Sequence, residues 1–210
     1  MEKWDYTGFQ EKMGNKTSWG FVTGRPSSDM SGIANELKAS LGAHLLDWKT
    51  TAEEVKNDLQ LEEEPAPFDK VVERMEQKVG DVLKAEKKPK FVFDSYAHDN
   101  VGAFLNWAQR WGTPEFAIVL AASDETIKAL WLKANDGGEF NEEQQERVAK
   151  EGKDFEEVQN TICARYKEAA DEGKMQLIQL NTNRSHETTV RDLLSNFQCK
   201  VLLVNHAKSY

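Results

Sequence analysis

An α/β fold, with a five-stranded parallel sheet and helices on both faces, is what this sequence predicts. Three observations carry the prediction. Short apolar runs alternate with longer segments of helical periodicity, the pattern of strand–helix–strand units in a parallel sheet. Some of those runs, such as Phe116-Ala117-Ile118-Val119-Leu120-Ala121, are apolar throughout, as in strands covered on both faces. The chain has 210 residues, enough for one substantial domain and short for two.

The elements follow in order. Residues 1–18 read as an N-terminal extension and 19–210 as the domain. Trp19-Gly20-Phe21-Val22-Thr23 is the first strand, and the turn Gly24 to Asp29 leads into a helical pattern on Ile33, Leu37 and Leu41. A second short run is His44-Leu45-Leu46-Asp47-Trp48. A polar helix through Val55 and Leu59 ends at Glu62-Glu63-Glu64 and Pro65-Ala66-Pro67, a solvated loop. The next helix runs from Phe68 to Lys84 with Val71, Val72, Met75, Val79, Val82 and Leu83 on its apolar side.

Lys90-Phe91-Val92-Phe93-Asp94 is the clearest strand, followed by a helix from about Phe104 to Trp111. Trp107 and Trp111 stand one turn apart beside Arg110, and read either as core packing or as an exposed binding patch. After the strand Phe116 to Ala121, Ser123 is a favoured N-cap. Asp124 and Glu125 suit the positive end of the helix it opens, and Leu130 and Trp131 read as packing residues. A polar excursion over 135–152, a helix to about Glu172 and a fifth strand, Met175 to Leu180, complete the sheet. Val190, Leu193, Leu194, Phe197, Val201 and Val204 fit one face of a long helix, although 200–204 alone also reads as a strand.

Composition excludes several roles. Hydrophobic residues make up 39% and charged residues 30%, as in ordinary soluble domains. The formal net charge is −9 with no basic stripe, which argues against nucleic acid and against anionic membranes. No apolar run approaches the roughly 20 residues that span a bilayer. Met1 to Ser18 has no apolar core of a secretory signal. The two cysteines, Cys163 and Cys199, stand far apart with no Cys-x-x-Cys, so no metal site is expected and the reducing cytoplasm is the default.

The stretch Gly24-Arg25-Pro26-Ser27-Ser28-Asp29-Met30-Ser31 lies between a strand and a helix. It falls on the phosphate-loop form G-x-x-x-x-G-K-[ST], in which backbone amides cradle phosphate, Lys reaches the terminal phosphates and the hydroxyl holds Mg²⁺. Gly24 and Ser31 match. Asp29 replaces the second glycine and Met30 the lysine. Asp29 is expected to cap the helix with its own carboxylate, taking the place of a phosphate. An Asp-capped turn without any ligand history accounts for the same residues.

With the remaining segments, the chain resembles the adenylate kinase family of nucleoside-monophosphate kinases. Pro26 matches that family's Gly-x-Pro opening. Asp94-Ser95-Tyr96-Ala97-His98 resembles its Asp-Gly-Phe-Pro-Arg run, with His98 in place of the phosphate-binding Arg. Ser123-Asp124-Glu125 resembles the acidic helix start after the fourth strand. The two Arg positions that follow it fall at about Leu130 and Ala134. No Arg occurs between Arg25 and Arg74, so the Arg that the family brings between its first two strand–helix units is missing, and the monophosphate-binding region, 44–90, reads as degenerate. The lid-like excursion 135–152 holds Arg147, with Arg165 beyond it and Asp154-Phe155 as a remnant of the family's Arg-x-Asp-Asp pattern. The resemblance spans Trp19 to Phe197 in order of elements.

The resemblance implies a P-loop nucleoside-monophosphate kinase fold with a reduced lid. It also implies lost chemistry: phosphoryl transfer is mostly positioning and charge stabilisation, and one stabilising Arg is worth about 10³–10⁵ in rate. A stray cation such as Arg25, Arg110 or Arg147 does not restore several such factors or supply the lysine missing at Met30. The expectation is a catalytically inactive, scaffold-like domain that binds protein partners and needs no cofactor. Adenylate-kinase-like domains are built into flagellar axonemes, so a cytoskeletal place within the cytoplasm fits the resemblance. The alternative is a diverged kinase or a sensor still binding ATP or AMP with Mg²⁺. Its nucleotide contacts would then be sought at Gly24, Arg25, Pro26, Ser27, Ser28, Asp29, Met30, Ser31, Asp94 and His98.

Overall fold

The computed structural model describes residues 18–25, 28–62, 65–94, 101–134 and 138–195. Their order is β1 (Ser18–Gly24), α1 (Met30–Leu41), β2 (His44–Asp47), α2 (Trp48–Leu59), α3 (Phe68–Ala85) and β3 (Lys90–Asp94). Then come α4 (Val101–Ala108) with a 3₁₀ turn (Gln109–Trp111), β4 (Phe116–Ala121), α5 (Asp124–Ala134), α6 (Glu142–Asp171) and β5 (Gln176–Asn181). Residues 186–195 form a last described helix, α7. The five strands form one sheet in the order β2-β3-β1-β4-β5, and every neighbouring pair is parallel.

Successive residues of a strand point to opposite faces, and each face has its own core. On one side Trp19, Phe21, Phe91, Phe93, Ala117 and Val119 meet Val72, Met75 and Val79 of α3, the aromatics of α4, and Phe155, Val158 and Ile162 of α6. On the other, Val22, Val92, Ile118, Leu120 and Leu180 meet Met30, Ile33, Ala34 and Leu37 of α1 and Leu193 of α7. Gly20 sits where β1 and β4 approach: a Cβ there would lie 2.5 Å from the Phe116 ring.

Trp107 and Trp111 belong to the first core, at 4% and 6% exposure, so the exposed-patch alternative falls. Their rings lie 5.3 Å apart, and Trp111 meets Phe93 edge-on at 5.0 Å. Trp19 and Trp107 each find an acceptor for the buried indole N–H. Trp19 Nε1 donates to Trp111 O at 3.1 Å, and Trp107 Nε1 to Glu76 Oε1 at 3.0 Å.

Two local expectations need correction. The polar excursion ends at Asn141, so 142–152 are the first turns of α6. A capping box starts the helix there: Gln144 N donates to Asn141 Oδ1 at 3.0 Å and Asn141 N to Gln144 Oε1 at 2.7 Å. Leu130 is exposed rather than packed, and the buried residue of α5 is Ile127. Trp131 does pack, edge-on to Phe140 at 5.5 Å. Of the apolar face expected for the tail, Val190, Leu193 and Leu194 lie on α7. Phe197, Val201, Val204 and the alternative strand 200–204 lie outside the described residues, as does the extension up to residue 17. Among the described residues no helix is long and apolar enough to cross a membrane.

Candidate functional site

The β1–α1 loop opens at the carboxyl end of the sheet, where open α/β sheets bind ligands. At Gly24 the chain turns with no room for a side chain. A Cβ there would overlap Ser28 Oγ and come 2.9 Å from Met30 Cγ and Leu120 Cβ. Arg25 N donates to Leu120 O at 3.2 Å, and Ser28 N closes a turn on Arg25 O at 2.9 Å. Pro26 and Ser27 lie outside the described residues. Met30, at the lysine's place, is only 7% exposed and joins the core with Val22, Ile33 and Leu120. Its side chain therefore fills the packing and offers the loop no charge.

Asp29 holds the N-cap position of α1, but its side chain makes no capping hydrogen bond. This corrects the expected self-cap. Its Oδ2 instead pairs with Nδ1 of His186, at the start of α7. The carboxylate also lies against the first turn of α1, since a Cβ at Gly32 would collide with it. A negative charge thus remains at the positive end of α1.

Three of the cations that the sequence singles out, Arg25, Arg147 and Arg165, are engaged within the chain. Arg25 is 3% exposed. Its Nη1 donates to Ala122 O at 3.0 Å and pairs with Asp124 Oδ1 at 2.6 Å, and its Nη2 donates to Val148 O of α6. Among the described residues, Arg25 Nε and Ser28 Oγ are buried without a hydrogen-bond partner. Arg147 pairs with Glu151 at 3.1 Å, and Arg165 reaches Asn106 Oδ1 at 3.3 Å.

One part of the expected site is assembled. Ser31 Oγ, on the first turn of α1, donates to Asp94 Oδ2, at the end of β3, across 2.8 Å. Asp94 is 5% exposed. Burial raises its pKa above the usual carboxylate range, the Ser31 hydrogen bond opposes that rise, and the charge of Asp47 adds to it. Asp47 stands in register with Asp94 on β2. His98 lies outside the described residues.

Beside the loop lies a cleft of about 810 Å³ between α1, α5 and the segment from β5 into α7. Asp29, Ile33, Leu130, Lys133, Asn183 and His186 are among its walls. Asn183 holds the cleft together, its Oδ1 accepting from Ser123 N at 2.8 Å and Thr126 Oγ1 at 2.7 Å. The sequence reading missed the segment 182–189. Its signal was a run of polar side chains, Asn181-Thr182-Asn183-Arg184-Ser185, at the end of the fifth strand.

No family model matches the sequence, and no curated protein is found similar to it. Among solved structures, a gluconokinase from Sinorhizobium meliloti 1021 superposes with a TM-score of 0.53 at 12% identity, covering 92% of this chain and 98% of that one. The likeness shows the fold: a P-loop-kinase-like α/β architecture. It does not single out adenylate kinases among the proteins that share it.

Proposed function

We propose that this chain is a kinase-like domain that transfers no phosphoryl group and serves as a structural element binding protein partners in a larger assembly. The observation that carries this reading is Met30, packed in the core at the place of the phosphate-loop lysine. Asp29 at the start of α1 supports it, because a carboxylate there repels a phosphate. The engagement of Arg25 with Ala122, Val148 and Asp124 supports it as well. No nucleic acid, membrane or cofactor enters this reading, and the net charge of −9 speaks against the first two.

The test is turnover. Purified protein with ATP, AMP and Mg²⁺ is expected to form no ADP above the uncatalysed rate. ADP formation that Ser31→Ala and Asp94→Ala both abolish would sink the proposal in favour of a diverged kinase. The cytoskeletal or axonemal location rests on the family resemblance. Co-pelleting with purified axonemes tests it, and protein left in the supernatant at every concentration would remove it.

A second reading has its own observation. The Ser31–Asp94 pair and the open cleft favour a domain that binds nucleotide without turnover. Ligand at 100 times its Kd stabilises by about 2.7 kcal/mol, and a chain of this size moves by roughly 2–4 °C per kcal/mol. A shift of several degrees in Tm with MgATP or AMP, without product, selects the sensor. No shift at millimolar nucleotide selects the scaffold.

A further inference from the structure

Helix α6 carries Gly152 in its interior, where glycine is a poor choice. Against alanine it weakens a helix by roughly two- to fivefold in equilibrium constant. The structure gives a reason for it. A Cβ at Gly152 would lie 3.0 Å from Arg25 Nη2 and 3.2 Å from Arg25 Cζ. That guanidinium, nearly fully buried, reaches Val148 O one turn earlier in α6. It also holds Ala122 O and Asp124 at the end of β4 and the start of α5. The missing Cβ leaves the opening through which Arg25 reaches a carbonyl in the helix wall.

We propose that Arg25 and Gly152 form an internal lock that holds the first half of α6 shut over the β1–α1 loop. A lid works by opening and closing over its ligand. Here the segment expected to be a lid is a fixed roof, tied to the loop by a desolvated cation with three oxygen partners. Opening it breaks the hydrogen bond from the guanidinium to Val148 O, and hydrogen bonds of charged groups contribute more than neutral ones. The lock concerns motion and stands whether or not the loop binds nucleotide.

Gly152→Ala decides the matter by its sign. With Arg25 present, the added methyl crowds the guanidinium, and the folding equilibrium constant falls. In the Arg25→Leu background the three atoms nearest the new methyl are gone, and the constant is expected to rise by roughly two- to fivefold, as for an ordinary helical glycine. Gly80 in α3, whose Cβ would meet nothing within 4 Å, is the control and rises in both backgrounds. Arg25→Lys, which keeps the charge but lacks the planar fork, serves as the second background should Arg25→Leu not fold. Amide hydrogen exchange gives an independent reading. In Arg25→Lys, residues 142–152 are expected to exchange on the order of tenfold faster while 155–166 stay unchanged. Stabilisation by Gly152→Ala in the otherwise native chain, or exchange that rises equally along all of α6, overturns the lock.

Discussion

Two buried carboxylates invite comparison. Glu76 lies in the aromatic core between α3 and α4, and Asp94 at the carboxyl end of β3 in the candidate site, at 4% and 5% exposure. Burial raises the pKa of each, and one hydrogen-bond donor opposes the rise: the Trp107 indole for Glu76, the Ser31 hydroxyl for Asp94. The physics is the same and the setting is not. Glu76 is closed in by α3 and α4, far from the loop in sequence. Asp94 shares its hydroxyl partner with the one phosphate-loop position besides Gly24 that matches. A perturbed carboxylate is therefore no marker of function by itself, since structural pairs perturb pKa values as well.

Breaking the two donors separates the settings most sharply. Trp107→Ala removes a 4%-exposed ring and leaves Glu76 without its donor, and a truncation of this kind costs about 3–5 kcal/mol. At roughly 2–4 °C per kcal/mol, Tm is expected to drop by about 6–20 °C. Ser31→Ala removes one hydroxyl and leaves Asp94 short of a donor, for a smaller loss of about 1–3 kcal/mol in urea unfolding. Equal losses would mean that Asp94 is as deeply tied into the packing as Glu76.

The next contrast is in pH. For both groups the folded pKa lies above the unfolded one, so between the two values the native state binds the extra proton. Stability from each group is then fullest below the unfolded pKa and is lost as pH rises through the raised folded pKa. Glu76→Gln and Asp94→Asn remove the titrating group and keep an acceptor oxygen. Each variant is expected to gain on the native chain as pH rises from about 4 to 7, measured by urea midpoints, because it lacks the loss that its own carboxylate contributes over that range. A variant that loses ground over the same range would show that its carboxylate is stabilised as the anion. Nucleotide sharpens the contrast. If the sensor reading holds, Asp94→Asn abolishes the ligand-induced rise in Tm, and Glu76→Gln leaves it intact.

The sheet was legible because buried parallel strands write themselves as apolar runs. Phe116 to Ala121 and Phe91 to Phe93 leave little else to be. The start of α6 was not, because Asn141 and Gln144 mark it only by a polar capping pattern inside a segment that composition reads as loop. Leu130 was misplaced for a different reason. Periodicity assigns a helix face but not how much of that face its neighbours cover, and in α5 Ile127 is buried while Leu130 is exposed. At the site, Met30 and Asp29 announced the lost lysine and glycine from their positions alone. What they do instead was invisible, since the core around Met30 and the contacts of Asp29 and Arg25 come from distant segments. His186 and Val148 carry no local mark that pairs them with the loop.

The smallest expected effect lies at the mouth of the loop. The Asp29–His186 pair joins α1 to α7 through side chains 49% and 42% exposed, and Glu36 Oε1 stands 4.0 Å from the other ring nitrogen. Water screens such a pair, and exposed pairs typically contribute about 0.2–1 kcal/mol. His186→Gln is therefore expected to change Tm by at most a few degrees, less in high salt than in low. The consequence for the loop is larger than that for the fold. Asp29→Gly removes the charge from the start of α1 and restores the glycine of the phosphate-loop form, while Met30 remains in the core. If the carboxylate alone excludes phosphate, Asp29→Gly gains a Tm rise with millimolar ATP that the native chain lacks. If no rise appears, the exclusion rests on Met30 and the roof of α6, and a single charge at a helix end is not what closed this loop.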